Sequence, residues 1–350
     1  MSRVATLVAA ITLLGACVGS PPPAVGGPTA TPAASRAGVD AYLAELNDDN
    51  FSGVVLVAKD FVPLASKASG YADRANGGPN ATITPFNIAS LAKLFTAVAI
   101  GQLVDRGKVA LDDPLSRFLP SYPKPAGDQI TIAMLLDHTA GTGDYLNESG
   151  YLRVRDTFES VDELVEAVNI APAPGAVPGK TYRYSNTGYL LLGAVVEKAS
   201  GRDFYDYMDD EVFAKAGVAA GFLRNTEEER RNRGYALGYA PDGSTNWSLL
   251  PLRGTPAGGA YASAPDLLSF HKTLANGTLV KPDTLKRLVI VPPKPGETSP
   301  GLSAGVFAGD DVGASAVFGM TASGYTVIVL SNTQGAAQPV ADKILKLIGG

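Results

Sequence analysis

The fold is decided by Asn87-Ile88-Ala89-Ser90-Leu91-Ala92-Lys93-Leu94-Phe95-Thr96-Ala97-Val98-Ala99-Ile100. From Ile83 to Val104 nearly every side chain is apolar or small, and Lys93 is the only charge before Asp105. Such a run reads as a buried helix. Ser90 sits near its start and Lys93 follows three residues later, so the two share one face about one turn apart. Burial disfavours the ammonium and lowers the lysine pKa, which makes a neutral amine available near pH 7 as a base for an adjacent hydroxyl. The alternative is that Ser90 caps the helix while Lys93 reaches water along its stem. Ser269-Phe270-His271-Lys272 has the same spacing, but in an amphipathic segment, Asp266 to Ala275, where the lysine can face solvent.

A second polar stretch lies downstream, Pro178-Gly179-Lys180-Thr181-Tyr182-Arg183-Tyr184-Ser185-Asn186-Thr187-Gly188-Tyr189. It feeds an apolar helix from Tyr189 to Ala199, stopped by Ser200-Gly201. At such a junction Tyr184 and Asn186 can both face one cleft, or Asn186 can cap the helix and Tyr184 pack. Tyr145-Leu146-Asn147 has the same spacing. His138 follows an apolar turn and precedes Gly141, a setting for hydrogen bonding at a helix end.

Composition narrows the class. The chain has 350 residues, enough for one large domain or two ordinary ones, with 45% hydrophobic and 18% charged residues. The net charge of −5 and the absence of a basic run argue against a nucleic-acid partner. The two histidines, His138 and His271, have no second ligand at helical spacing, so no metal and no cofactor are expected. Met1-Ser2-Arg3 followed by Val4 to Gly15 reads as a signal peptide over residues 1–16, too short for a transmembrane span. Leu14-Gly15-Ala16-Cys17 resembles the bacterial lipobox, which makes Cys17, the only cysteine, a lipidation site and the cell envelope the expected location. Residues 17–38 are Pro, Ala, Gly, Thr and Ser in the main and read as a disordered linker.

The remaining chain, 39–350, reads as one large domain. A helix is expected over Val39 to Leu46 and strands over Phe51 to Ala58 and Lys67 to Ala72. Residues 85–218 are mostly helical, with short helices after Leu111, around Thr131 to Gly141 and over Asp162 to Ile170. Arg224 to Arg233 reads as a solvated excursion. Helices are expected from Ala264 and over Pro282 to Val289. Ala314 to Met320 and Tyr325 to Ser331 form a hairpin through Thr321-Ala322-Ser323-Gly324, and Val340 to Ile348 is an amphipathic helix. The α/β part is thus 39–84 with 219–350, and the helical part 85–218.

These motifs in this order resemble the serine β-lactamase and penicillin-binding-protein superfamily, in the branch of class C β-lactamases, D-alanyl-D-alanine carboxypeptidases and esterases. The resemblance rests on Phe51 to Val55, Gly70 to Asp73, Ser90-Leu91-Ala92-Lys93, Leu135 to Gly141, Tyr184-Ser185-Asn186 and Tyr325 to Asn332. It implies an antiparallel sheet flanked by helices with an inserted helical subdomain. It also implies Ser90 as nucleophile, with Lys93, Tyr184 or the coupled pair as base. Asn186 would hold the acyl side chain of the substrate, and the Ser90 backbone N–H would supply half an oxyanion hole.

The family's third motif, a Lys-Thr-Gly or His-x-Gly edge strand, matches Val306-Phe307-Ala308-Gly309. Phe307 stands at the cationic position and Gly309 at the close-approach position. Lys294-Pro295-Gly296 is a poorer match, because proline cannot donate to a ladder. The resemblance therefore implies a monomeric serine hydrolase acting on an ester, amide or β-lactam carbonyl of a small molecule or peptide, at the membrane through Cys17. The altered third motif also fits a pseudoenzyme that binds cell-wall peptides without turnover.

Overall fold

Two stretches from opposite ends of the chain build the central sheet. The computed structural model describes residues 32–293 and 297–349. The expected signal peptide, Cys17, most of the linker and the Lys294-Pro295-Gly296 triplet lie outside the described residues. Strands β1 (Gly53–Lys59) and β2 (Val62–Ser69) come from the first stretch. Strands β3 (Gly305–Asp311), β4 (Ala314–Met320) and β5 (Tyr325–Ser331) come from the last. Their order is β2-β1-β5-β4-β3, antiparallel throughout, with Val55 opposite Val329 where the two ends of the chain meet.

Alternation decides what covers each face. Val54, Leu56, Ala58, Ile328 and Leu330 enter the larger hydrophobic cluster, and Val55, Val57, Val327 and Val329 enter a smaller one. Helix α1 (Pro32–Glu45) and the C-terminal helix Ala337–Leu347 close the smaller cluster through Val39, Leu43, Val340 and Ile344. With both faces covered, the central strands are apolar at almost every position. Helix α1 starts at Pro32, inside the segment expected to be linker. Proline suits a first helical turn and Ala33-Ala34 follow it with high propensity, so Pro32 to Gly38 belong to the folded part.

The larger cluster runs without a break from the sheet into the helical part. Helix α2 (Lys93–Asp105) is buried from Lys93 to Leu103 and packs against α3 (Asn186–Ser200). The apolar run that announces α2 does not become helical at Ile83. Phe86-Asn87 pairs with Tyr261-Ala262 as a short ladder, and Ala89–Ala92 forms a 3-10 turn before the α-helix begins. Ala89 has φ 46°, a backbone conformation that cannot continue a right-handed helix. The charged stretch after Arg224 holds a helix as well, Glu227–Arg233, capped by Thr226. It buries no residue, so no apolar period marks it. The second S-x-x-K match lies in α4 (Ala264–Ala275), where Lys272 is exposed.

Candidate active site

Ser90 lies in the turn that enters α2. Asn87 Oδ1 accepts the Ala89 N–H at 2.8 Å and so pins the left-handed residue that immediately precedes Ser90. Ser90 makes no capping bond and Lys93 does not reach water, being 3% exposed. Tyr184 Oη donates to Ser90 Oγ at 2.7 Å, and Lys93 Nζ lies 3.2 Å from the same oxygen. Nζ also donates to Asn186 Oδ1 at 2.8 Å and to the Ala257 carbonyl at 2.5 Å. One turn further along α2, Thr96 Oγ1 donates to the Pro256 carbonyl, so α2 grips this loop at two consecutive residues.

The electrostatics follow from that burial. Desolvation pushes the Lys93 ammonium down to about 7, against the opposing pull of the Asp144 and Asp311 charges. Burial pushes the Tyr184 phenol up to about 12, although its bond to Ser90 works the other way. Near neutral pH the site therefore holds a phenol beside an amine that gives up its proton readily. A neutral amine has two N–H groups and one lone pair. Asn186 and Ala257 take the two N–H groups, and the lone pair is left for Ser90.

Tyr184 is held from behind. His138 has φ 62°, is 2% exposed, and stacks on the Tyr184 ring at 4.5 Å between centroids. Its Nδ1 accepts the Ser185 N–H at 3.1 Å, the helix-end hydrogen-bonding role read from its sequence setting. Burial, with Lys93 nearby, pushes the imidazole down to about 3, so it is a neutral platform. Ser185, rather than Asn186, caps α3 by accepting the Gly188 N–H, which frees Asn186 to face Lys93. The Tyr145 motif is elsewhere: its hydroxyl is buried against Thr255.

The edge strand β3 forms the opposite wall. A Cβ on Gly309 would lie 2.3 Å from the Ile88 carbonyl and 2.8 Å from the Ser90 nitrogen, so only glycine lets the strand approach the Ser90 turn this closely. Phe307, two residues earlier, packs on the larger cluster, and Val306 and Ala308 pack on the smaller one. The cleft over Ser90, Lys93 and Tyr184 encloses about 590 Å³ of space open to solvent. Leu91, Leu94, Ile290, Val291 and Phe307 contribute apolar lining to it.

The structure thus brings Ser90, Lys93, Tyr184 and Phe307 to one cleft, with Asn186 bonded to Lys93 and Gly309 against the Ser90 turn. It adds groups that the sequence reading missed. Asp144 Oδ2 accepts from Asn186 Nδ2 at 2.9 Å and orients that amide; no local pattern links residues 42 apart. The Ala257 carbonyl carries no side-chain signal at all. Asp311 could have been found, since it lies two residues past Gly309 on the same strand face.

A Ser-Lys-Tyr cluster at the entry to a buried helix, faced by the edge of a helix-flanked antiparallel sheet, is the arrangement of a class of serine hydrolases. The Beta-lactamase family model matches residues 39–348, and the chain belongs to that family, a serine hydrolase class. It is 29% identical over 323 residues to the "Putative penicillin-binding protein PbpX" of Bacillus subtilis (strain 168), covering 88% of this chain and 77% of that protein. It is 30% identical over 270 residues to esterase EstB of Burkholderia gladioli, covering 66% of this chain and 67% of the esterase. A crystal structure of a penicillin binding protein from Bacillus halodurans superposes with a TM-score of 0.74 at 31% identity, over 89% of this chain and 98% of that one.

Proposed function

We propose that the protein is a cell-envelope serine hydrolase that forms an acyl-enzyme on Ser90 and prefers neutral esters or amides to anionic β-lactams. The observation that carries this reading is the position of Lys93 Nζ, 3.2 Å from Ser90 Oγ and bonded also to Asn186 Oδ1 and the Ala257 carbonyl, so that on losing its proton to become neutral it can turn its lone pair to Ser90. Ser90 Oγ attacks the carbonyl carbon as its proton passes to Lys93 Nζ. The Ser90 N–H and an N–H of β3 hold the developing oxyanion. As the tetrahedral intermediate collapses, Tyr184 gives its proton to the leaving group and is reprotonated from Lys93. In deacylation the same groups take a proton from the attacking water and return one to Ser90. With its phenol pushed up to about 12, Tyr184 serves as proton donor and relay, and Lys93 is the base.

Substrate charge follows from Phe307. Where the family's third motif would place a cation there is an apolar ring, and a substrate carboxylate loses a charge-assisted contact of about 1.5–3 kcal/mol. The likeness to an esterase supports a neutral ester as substrate. Location at the envelope rests on the Leu14-Gly15-Ala16-Cys17 signature.

Ser90→Ala is the direct test, with p-nitrophenyl esters as substrate and intact mass after fluorophosphonate treatment as readout. Turnover is expected to fall at least about a thousandfold, and the covalent adduct to vanish. Wild-type rates in the variant would refute the proposal. Labelling of Ser90 in the wild type with no ester, amide or β-lactam turned over would leave a binding protein instead.

A further inference from the structure

The loop that follows His138 is stitched to the start of α3 by three successive residues. Thr142 Oγ1 and Ser185 Oγ lie 2.7 Å apart, Ser185 Oγ donates to the Gly143 carbonyl at 2.6 Å, and Asp144 Oδ2 accepts from Asn186 Nδ2 at 2.9 Å. Asn186 therefore joins a carboxylate on this loop to the amine on α2, since its Oδ1 accepts from Lys93 Nζ at 2.8 Å. Asp144 is itself held in place. Its Oδ1 caps the 3-10 turn Tyr145–Asn147 by accepting the Leu146 N–H at 3.1 Å.

An amide between two such partners has one good orientation. A carboxylate only accepts, so it demands Nδ2 on its own side and leaves Oδ1 for Lys93. The reversed amide would set oxygen against oxygen at Asp144 and aim an N–H at Nζ. That N–H would take the lone pair of the neutral amine, which Ser90 needs as it attacks. Among the described residues Asp144 bonds to neither Ser90 nor Lys93, so it acts on the base through Asn186.

We propose that Asp144 is a positioning residue that keeps the Asn186 amide turned with its oxygen toward Lys93, and so reserves the lone pair of the base for Ser90. This rests on the acyl-transfer reading of Ser90 and deepens it. The charge of Asp144 acts on the same amine. The groups facing Nζ are the rings of Tyr184 and Tyr189 at 4.8 and 5.4 Å, the neutral His138 imidazole, and the carboxylates Asp144 and Asp311, both of which favour the ammonium.

Asp144→Asn separates holding the loop from directing the amide. An asparagine keeps its oxygen on the Leu146 N–H, a capping role it fills as well as aspartate. Its new amide group then faces Asn186 and draws the Asn186 oxygen away from Lys93. A negative charge is lost and an N–H is aimed at the lone pair, so the amine is neutral at lower pH and yet a poorer base for Ser90.

The test is the rate of Ser90 labelling by a fluorophosphonate, read by intact mass across about pH 5 to 9 on the full-length protein. Wild-type labelling is expected to rise through a limb near pH 7, where Lys93 loses its proton. In Asp144→Asn the plateau rate should fall about tenfold, the scale of one hydrogen bond, while the limb moves to lower pH by about one unit. In the double variant Asp144→Asn/Asn186→Asp the carboxylate and the amide trade places, and an acceptor again faces Nζ. Its plateau should recover part of the loss, with the limb above that of the wild type. A merely structural role would slow both variants and leave the limb in place. A plateau in Asp144→Asn within about twofold of wild type, an unmoved limb, or a double variant no faster than the single one overturns the proposal. Any of these with Ser90 labelled in the wild type defeats this inference alone; no labelling of the wild type defeats the acyl-enzyme reading as well.

Discussion

Lys93 has a price for its chemistry, and that price is measurable. The buried amine sits near 7 in the folded protein against an ordinary 10.5. Between those values the unfolded chain binds a proton that the folded one does not, so this group's contribution to stability rises with pH from about 7 to about 10.5 and is at its worst below 7. Two outcomes are expected. First, kcat/KM should climb through an acidic limb near pH 7 as Lys93 loses its proton; a limb above pH 9 would assign the base to Tyr184. Second, Lys93→Met should be inactive, and thermal denaturation should show its stability relative to wild type falling from pH 7 to pH 10, by up to about 1.4 kcal/mol per pH unit. A difference independent of pH would mean that the lysine is not neutral in the fold.

Among the elements, β3 and the Ser90 turn are the most closely fitted pair. Gly309→Ala places a methyl against the Ile88 carbonyl and the Leu91 and Ser90 nitrogens, all backbone atoms that cannot swing aside. The strand must retreat from the nucleophile. The expected result is a stability loss of about 1–3 kcal/mol with a kcat loss of at least about a hundredfold. Native-like rates in Gly309→Ala would show that the strand supplies no oxyanion donor. Elements of this kind were legible to different degrees. The β4–β5 hairpin could be placed to the residue, because both strands are apolar on both faces and Thr321 to Gly324 bound them. Ser90 and Lys93 stood out as a charge in an apolar run. The helix Glu227–Arg233 could not be seen, having no buried face, and Asp144 could not, since its partner Asn186 is distant in sequence. The Ala257 carbonyl is invisible in principle, because any residue type carries one. Asp311 was legible and overlooked: strand alternation from Gly309 leads to it.

For the whole molecule, the anchored state is the main expectation to be tested. With Cys17 lipidated, the folded part from Pro32 onward would be held to a membrane by about fifteen residues, roughly 50 Å at full extension. Cys17→Ser should move the protein from the membrane to the soluble fraction and abolish palmitate incorporation, with hydrolysis of a soluble ester unchanged. Persistence in the membrane fraction would point to a different attachment. The fold class was readable from one chain, and so was the company of Ser90, Lys93 and Tyr184, because the motifs come in a fixed order along it. The polarity of the cleft was only half readable, since it depends on which side chains share a strand face.

The pairing of β1 with β5 gives the molecule a built-in delay. A ribosome makes Ser90, Lys93, Tyr184 and Asn186 well before it makes Gly309 and the strands that carry it to Ser90. Until those last strands insert between β1 and solvent, the nucleophile has no opposite wall, and pairing of distant segments is slow to nucleate. On the proposed mechanism, hydrolytic competence would belong to the finished chain alone. A nascent or truncated chain keeps every residue of the Ser-Lys-Tyr cluster and lacks the edge strand that comes to lie against the Ser90 turn.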